Sequence, residues 1–311
     1  MRIDIHGITD AASRSIAQVM LQNRLTTGVL FFIGIAAACL SIGGEGRLSV
    51  LAGAVASLLS ALIAGRRMKG WNDGLAGFNA VLVGCAAFTF LNCGAAVWVT
   101  LLAASLLTLP LKLLCDRMFR TVGISSLTLP FILATWGLLI ISETWNPATL
   151  YIPENISEAP VVTLPSLLAA WMKGLSQVFL TDSWVTGCIF AVGLFAASRR
   201  AALWALAGSA IGMAIATAFN IPWLQISEGL WGFSPALTAI AVGDTFRTDT
   251  HKPLKWTILT VFAIILAVVV QLFIQPIFEK SSLPILTLPF CMATWIVVAS
   301  FRLYSERERQ R

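Results

Sequence analysis

Leu127-Thr128-Leu129-Pro130-Phe131 recurs as Leu286-Thr287-Leu288-Pro289-Phe290, 159 residues downstream. Ala134-Thr135-Trp136 follows the first copy and Ala293-Thr294-Trp295 the second, at the same offset. Upstream, Gln18-Val19-Met20-Leu21 with Thr27-Gly28 matches Gln177-Val178-Phe179-Leu180 with Thr186-Gly187, again 159 residues apart. Between these blocks, Gly74-Leu75-Ala76-Gly77-Phe78-Asn79 matches Gly229-Leu230-Trp231-Gly232-Phe233-Ser234 at an offset of 155. Blocks repeated in the same order are the mark of an internal duplication, so the chain is read as two related halves.

What the halves are made of follows from composition. Of 311 residues, 58% are hydrophobic and 12% charged, against about 25% charged in an ordinary soluble domain. Mean hydropathy is +0.84. A globule of this size has too little interior to hide so much apolar side chain, and the composition equally excludes disorder, a coiled coil and a disulfide-stapled scaffold. The remaining class is an all-α polytopic membrane protein. Apolar runs at 25–42, 48–64, 75–90, 95–114 and 127–141 fill the first half, and runs at 185–197, 201–219, 230–242, 254–273 and 283–301 the second. The six cysteines lie in or beside these runs without CxxC spacing, and read as small hydrophobes rather than disulfides or metal ligands.

Charge sets the orientation. With the N-terminus in the cytoplasm, the basic loops at 66–69, 112–120, 199–200 and 247–255 and the Arg-rich C-terminal tail all fall inside, as the positive-inside rule requires. The connection carrying Glu143, Glu154 and Glu158, and the loop carrying Glu228, fall outside. The net charge of +6 is therefore a property of cytoplasmic loops, not a sign of nucleic-acid binding. The expected organisation is a cytoplasmic or interfacial N-terminal segment at 1–24, with an amphipathic stretch at 11–21 lying on the membrane. A first repeat covers 18–142, an outer connection 143–165, a second repeat 166–303 and a basic tail 304–311. Five spans per repeat is an odd number, so the two repeats insert with inverted topology. Such folds carry the substrate path at the repeat interface near the bilayer midplane, on paired segments broken by Gly or Pro.

Two sets of blocks meet that description. Phe78 and Leu82 are one helical turn apart and share a face, as do Phe233 and Leu237. Phenylalanine in a membrane helix is ordinarily packing; paired beside Gly-rich breaks, it is either packing or an aromatic slot for a flat, neutral solute. In the Thr-Leu-Pro blocks, Pro suits an early helical position, and Thr128 and Thr287 are placed to begin half-length helices inside the membrane. Their hydroxyls either cap their own backbone or offer hydrogen bonds to a solute. Gln18 and Gln177, polar residues opening each repeat, are candidates for the pore mouths.

What is missing narrows the solute. The spans hold almost no ionisable residue away from their ends, where proton relays and ion-coupled sites would put them. The two histidines, His6 and His251, lie near the terminus and in a loop. No phosphate loop, metal cluster, cofactor motif or catalytic triad pattern is present. Asn146-Pro147-Ala148 occurs once, in the outer connection, unlike the paired motif of water channels. The path is built for a small, uncharged, hydrogen-bonding solute.

The repeated Gln-Val-x-Leu, Gly-Leu-x-Gly-Phe and Leu-Thr-Leu-Pro-Phe blocks resemble those of the urea transporter family, over roughly 18–301. That resemblance implies facilitated diffusion of urea, without coupling or catalysis, through one pore per subunit of a homotrimer in a lipid bilayer. The neighbouring alternative is a channel for water, ammonia or short amides. The resemblance further implies a bacterial plasma (inner) membrane, ten spans with two half-length pore helices, both termini in the cytoplasm, and a urease as consumer of the urea. It assigns Phe78 and Phe233 to the aromatic slots, Leu82 and Leu237 to the constriction, Thr128 and Thr287 to the centre, and Gln18 and Gln177 to the mouths. Both mouths here carry Gln where bacterial relatives can carry one Glu, and Ser234-Pro235 replaces Asn79-Ala80.

Overall fold

Two apolar helices start at the Gly-Phe blocks and occupy the centre of the molecule. The computed structural model describes residues 5–41, 45–121, 123–145, 161–247, 253–281 and 283–310, and among these residues the regular structure is helical. The first half holds α1 (Ile5–Gln18), α2 (Leu25–Ser41), α3 (Glu45–Ala64), α4 (Phe78–Phe90), α5 (Ala95–Phe119) and α6 (Leu129–Trp145). The second holds α7 (Leu164–Ser176), α8 (Trp184–Ala197), α9 (Arg199–Ala218), α10 (Trp223–Ser227), α11 (Phe233–Ile240), α12 (Pro253–Ser281) and α13 (Leu288–Gln310). A 3₁₀ turn, Gln177–Phe179, extends α7, and a π turn, Ala241–Thr245, extends α11. Each of the ten apolar runs overlaps one helix; α1, α7 and α10 are additional. Residues 146–160, with Glu154, Glu158 and Asn146-Pro147-Ala148, and the basic-loop residue His251 lie outside the described residues.

α4 is apolar on every face, and its residues from Phe78 to Phe88 are all buried; every residue of α11 is buried too. A helix hydrophobic all round belongs in an interior. α4 packs on α3, and α11 on α9. Small residues allow the close approach: a side chain at Gly84 would strike the backbone of Gly53 and Ala54, and one at Gly208 the backbone of Pro235 and Ala236. The turns that lead into α4 and α11 pass through Gly74 and Gly229, both at φ 78°. A Cβ at either would also collide with the backbone of Arg14–Ser15 or Lys173–Gly174, so only glycine fits.

Contacts between the halves come in reciprocal pairs. Thr27 Oγ1 donates to Gly193 O at 2.9 Å, and Thr186 Oγ1 to Gly34 O at 2.9 Å. Trp136 Nε1 donates to Pro284 O at 2.9 Å, and Trp295 Nε1 to Ser125 O at 2.9 Å. Phe31 packs on Phe190 with ring centres 4.9 Å apart. In every case residues and partners exchange at the 159-residue offset.

α5, α9 and α12 are each long and apolar enough to cross a membrane, and α7 with α8 form a further such unit bent by 74°. Shorter apolar helices supply the rest. Leu40, Ile63, Val99 and Phe273 stand exposed on the outside, an apolar surface suited to lipid. Two features differ from the sequence reading. α1 packs against α2, α3 and α4 and buries Ile16 together with Ala11, Ser15 and Ala17, three small side chains that let it pack closely. The helices begun by the Thr-Leu-Pro blocks run 17 and 23 residues, and the sharp bend falls instead between α7 and α8.

Candidate substrate path

The Gln-Val-x-Leu blocks are helix ends. At each, the chain leaves the helix through a leucine in the left-handed region, Leu21 at φ 60° and Leu180 at φ 55°. Their amides donate to Gln18 O and Gln177 O, both at 2.9 Å. The glutamine side chains then reach the turns that precede the central helices. Gln18 Nε2 donates to Asp73 O at 3.0 Å, and Gln177 Nε2 to Glu228 O at 2.8 Å. Both glutamines therefore brace the segments that deliver Phe78 and Phe233.

Phe78 and Phe233 are the first residues of α4 and α11, each 7% exposed. Leu82 and Leu237 follow one turn later and are fully buried. Asn79 Oδ1 accepts from Phe131 N at 3.2 Å, which satisfies one of the amides a helix start leaves without a partner and ties α4 to α6.

Thr128 and Thr287 meet each other. Their hydroxyl oxygens are 2.7 Å apart, and Thr128 Oγ1 also lies 3.2 Å from Cys291 Sγ. The residues just before them, Leu127 at φ 51° and Leu286 at φ 49°, are again left-handed.

A cavity of about 840 Å³ opens on one side of this pair, within the usual range of small-molecule sites. Gln177, Phe233 and Thr287 line it, joined by Phe131 from the first half and by Glu228 and Gln271. It brings together three of the eight expected site residues. Thr128 bonds to one of them, Leu82 and Leu237 are packed away from solvent, and Gln18 and Phe78 lie outside it. At the rim Lys173 pairs with Asp182 at 2.7 Å. Partial burial holds the Glu228 carboxyl above the ordinary carboxylate range; Asp182 raises it further and Lys173 pulls it down. Among the described residues, no three His, Cys, Asp or Glu side chains gather as a metal site.

The motifs did not single out the left-handed leucines, Leu21, Leu127, Leu180 and Leu286. A β-carbon in this region costs about 1–2 kcal/mol, and such strain concentrates at sites where the surroundings hold it in place. Leu180 and Leu286 line the cavity. Their signal was already in the blocks, as the fourth residue of Gln-Val-x-Leu and the first of Leu-Thr-Leu-Pro.

Comparison with known proteins identifies the family. The chain is 27% identical over 296 residues to Urea transporter 1 of Capra hircus, covering 92% of this chain and 75% of that protein. The Ovis aries protein of the same name gives the same identity and coverage. Urea transporter 1 of Rattus norvegicus is 26% identical over 292 residues, 90% of this chain and 74% of that one. The family model described as "Urea transporter" matches residues 9–300, which takes in both halves, both Gly-Phe helices and the threonine pair: the chain belongs to the urea transporter family.

Proposed function

We propose that the protein is a passive channel for urea, built from two inverted repeats of five spans with one path per subunit. Family membership makes it a membrane transporter of urea and not an enzyme; the mechanism is our reading. The observation that carries it is the contact between Thr128 and Thr287, equivalent residues from the two halves whose hydroxyls meet beside a cavity that also exposes Phe233 and Gln177. Urea is planar, neutral, and both donor and acceptor. Phe78 and Phe233 form aromatic slots at either end, Leu82 and Leu237 narrow the way between, and Gln18 and Gln177 stand at the mouths. Replacing hydration contacts one by one, along hydroxyl and carbonyl oxygens, lets a solute pass without being trapped.

The reciprocal contacts at the 159-residue offset support the inverted repeat. The bent α7–α8 pair, and α1 with its matching left-handed turn, supply the half-length elements of such a path. In this reading the subunits form homotrimers in a bacterial inner membrane, with both termini cytoplasmic and the Glu228 cavity outside. The test is stopped-flow urea entry into proteoliposomes: fast, saturable flux that ignores Na⁺ and proton gradients supports it, and flux that needs either gradient refutes it. Native mass spectrometry from lipid discs reads the trimer.

A further inference from the structure

Lys112 is a lysine held inside a membrane helix, and nothing in the path described so far uses it. Its Nζ lies 5.7 Å from the centre of the Phe78 ring. The side chain is 10% exposed and pairs with Asp116 Oδ2 at 2.6 Å. Asp116 is fixed in turn, because its Oδ1 accepts from Ser126 N at 3.0 Å, two residues before Thr128. The ammonium is thus pinned beside one aromatic slot by the segment that carries the central threonine.

The other half has no such charge. The ring pairs Phe119–Trp295, at 4.7 Å, and Trp136–Phe278, at 5.3 Å, are equivalents of each other, so the 159-residue offset holds along α5 and α12. It sets Gln271 against Lys112 and Gln275 against Asp116. Gln271 Nε2 donates to Leu230 O at 3.1 Å, and Gln271, Gln275 and Phe233 line the cavity together. That equivalence places Lys112 beside the path at its Phe78 end.

Two phenyl slots alone would favour the wrong solute. Guanidinium has the shape and the donors of urea, and aromatic faces attract cations. We propose that Lys112 is a specificity-determining residue that rejects planar cations at the Phe78 slot. Like charges repel strongly where water is scarce, and Asp116 holds the ammonium in place through a charge-assisted bond, at the expense of part of that repulsion. The inference rests on the reading of this path as a urea channel.

The test compares uptake of labelled urea and labelled guanidinium by proteoliposomes held at zero membrane potential. The principal variant is Lys112→Gln with Asp116→Gln, which copies the Gln271–Gln275 pair and leaves no buried charge unpaired. The guanidinium-to-urea flux ratio should rise at least tenfold in this variant and stay at the wild-type value in Lys112→Arg. An unchanged ratio in the double variant, or an equal rise in Lys112→Arg, overturns the proposal. A measurement on the wild-type chain needs no variant: guanidinium should require at least ten times the concentration of acetamide to halve urea entry, and equal potency overturns the proposal as well. A wild-type chain that passes no urea refutes instead the channel reading beneath it.

Discussion

Thr128 Oγ1 and Thr287 Oγ1 lie 2.7 Å apart in the interior, two residues separated by the same 159 positions that relate the reciprocal contacts. A hydroxyl has one proton and two lone pairs. A pair that spends one proton on itself keeps acceptor capacity for the N–H groups of a passing urea. Replacing either residue by valine should lower urea flux at least tenfold at equal membrane abundance. Thr128→Val should also cost about 1–3 kcal/mol of stability, because the Thr287 hydroxyl loses its partner; Thr287→Val should cost less, since Thr128 Oγ1 keeps Cys291 Sγ at 3.2 Å. The double valine variant should unfold at a higher temperature than the sum of the single losses implies, since no polar group is then stranded. Stopped-flow flux and thermal unfolding in detergent read the two effects.

In the proposed path Phe233 sets the width of the slot at the cavity end. It is 7% exposed and faces the roughly 840 Å³ space. Phe233→Leu keeps an apolar side chain while removing the flat wall, at a cost of about 1–2 kcal/mol for an imperfect swap of this kind. The flux of N,N′-dimethylurea relative to urea should rise at least threefold. An unchanged ratio would mean that the ring packs the helix start and does not gauge the solute.

The motifs made the architecture legible because each does a local structural job as well as a functional one. Gly74 and Gly229 were legible because a positive-φ turn against a neighbouring backbone admits no other residue. Phe78 and Phe233 were legible as paired aromatics beside Gly-rich breaks, though the helices start at them and not at 75 and 230. Gln18 and Gln177 were legible as repeated polar residues in apolar surroundings, though not as braces, because a carbonyl 55 or 51 residues away leaves no trace in local pattern. The leucines at φ near 50–60° were hidden for a different reason: leucine rarely adopts that conformation, and the surrounding packing has to hold it there. Lys112 read as the start of a basic loop because α5 was expected to end at residue 114; the helix runs on to Phe119 and carries the charge inside.

Glu228 ties the cavity to pH. Partial burial, reinforced by Asp182, raises its carboxyl above the value it has in an unfolded chain. Between the two values the folded protein binds more protons than the unfolded one, so stability falls as pH rises through that window. At neutral pH the charged Glu228 therefore costs stability. Glu228→Gln should melt at a higher temperature than wild type at pH 7, and the gap should close as pH falls below the ordinary carboxylate range. Gln177 should stay in place throughout, since it donates to the Glu228 backbone carbonyl and not to the carboxyl. Melting curves from pH 4 to 8 decide; a gap that widens on acidification contradicts the assignment.

Cys93 offers a direct test of whether the cavity is on the path. It lies in the turn between α4 and α5 and lines the cavity. It is exposed, whereas Cys39, Cys85, Cys115 and Cys291 are buried and Cys188 is intermediate. Thiol reactivity follows access as well as ionisation, so a charged, membrane-impermeant maleimide should add at Cys93 ahead of the others. An adduct there fills part of the cavity that Phe233 also lines, and urea flux should fall by at least half. Cys93→Ser should conduct as before and lose the sensitivity. The side matters too: with the Glu228 cavity facing out, reagent outside right-side-out vesicles should inhibit, and the same reagent trapped inside should not. Full modification at Cys93, verified by mass, with undiminished flux would remove this cavity from the urea path and leave the threonine pair to be reached some other way.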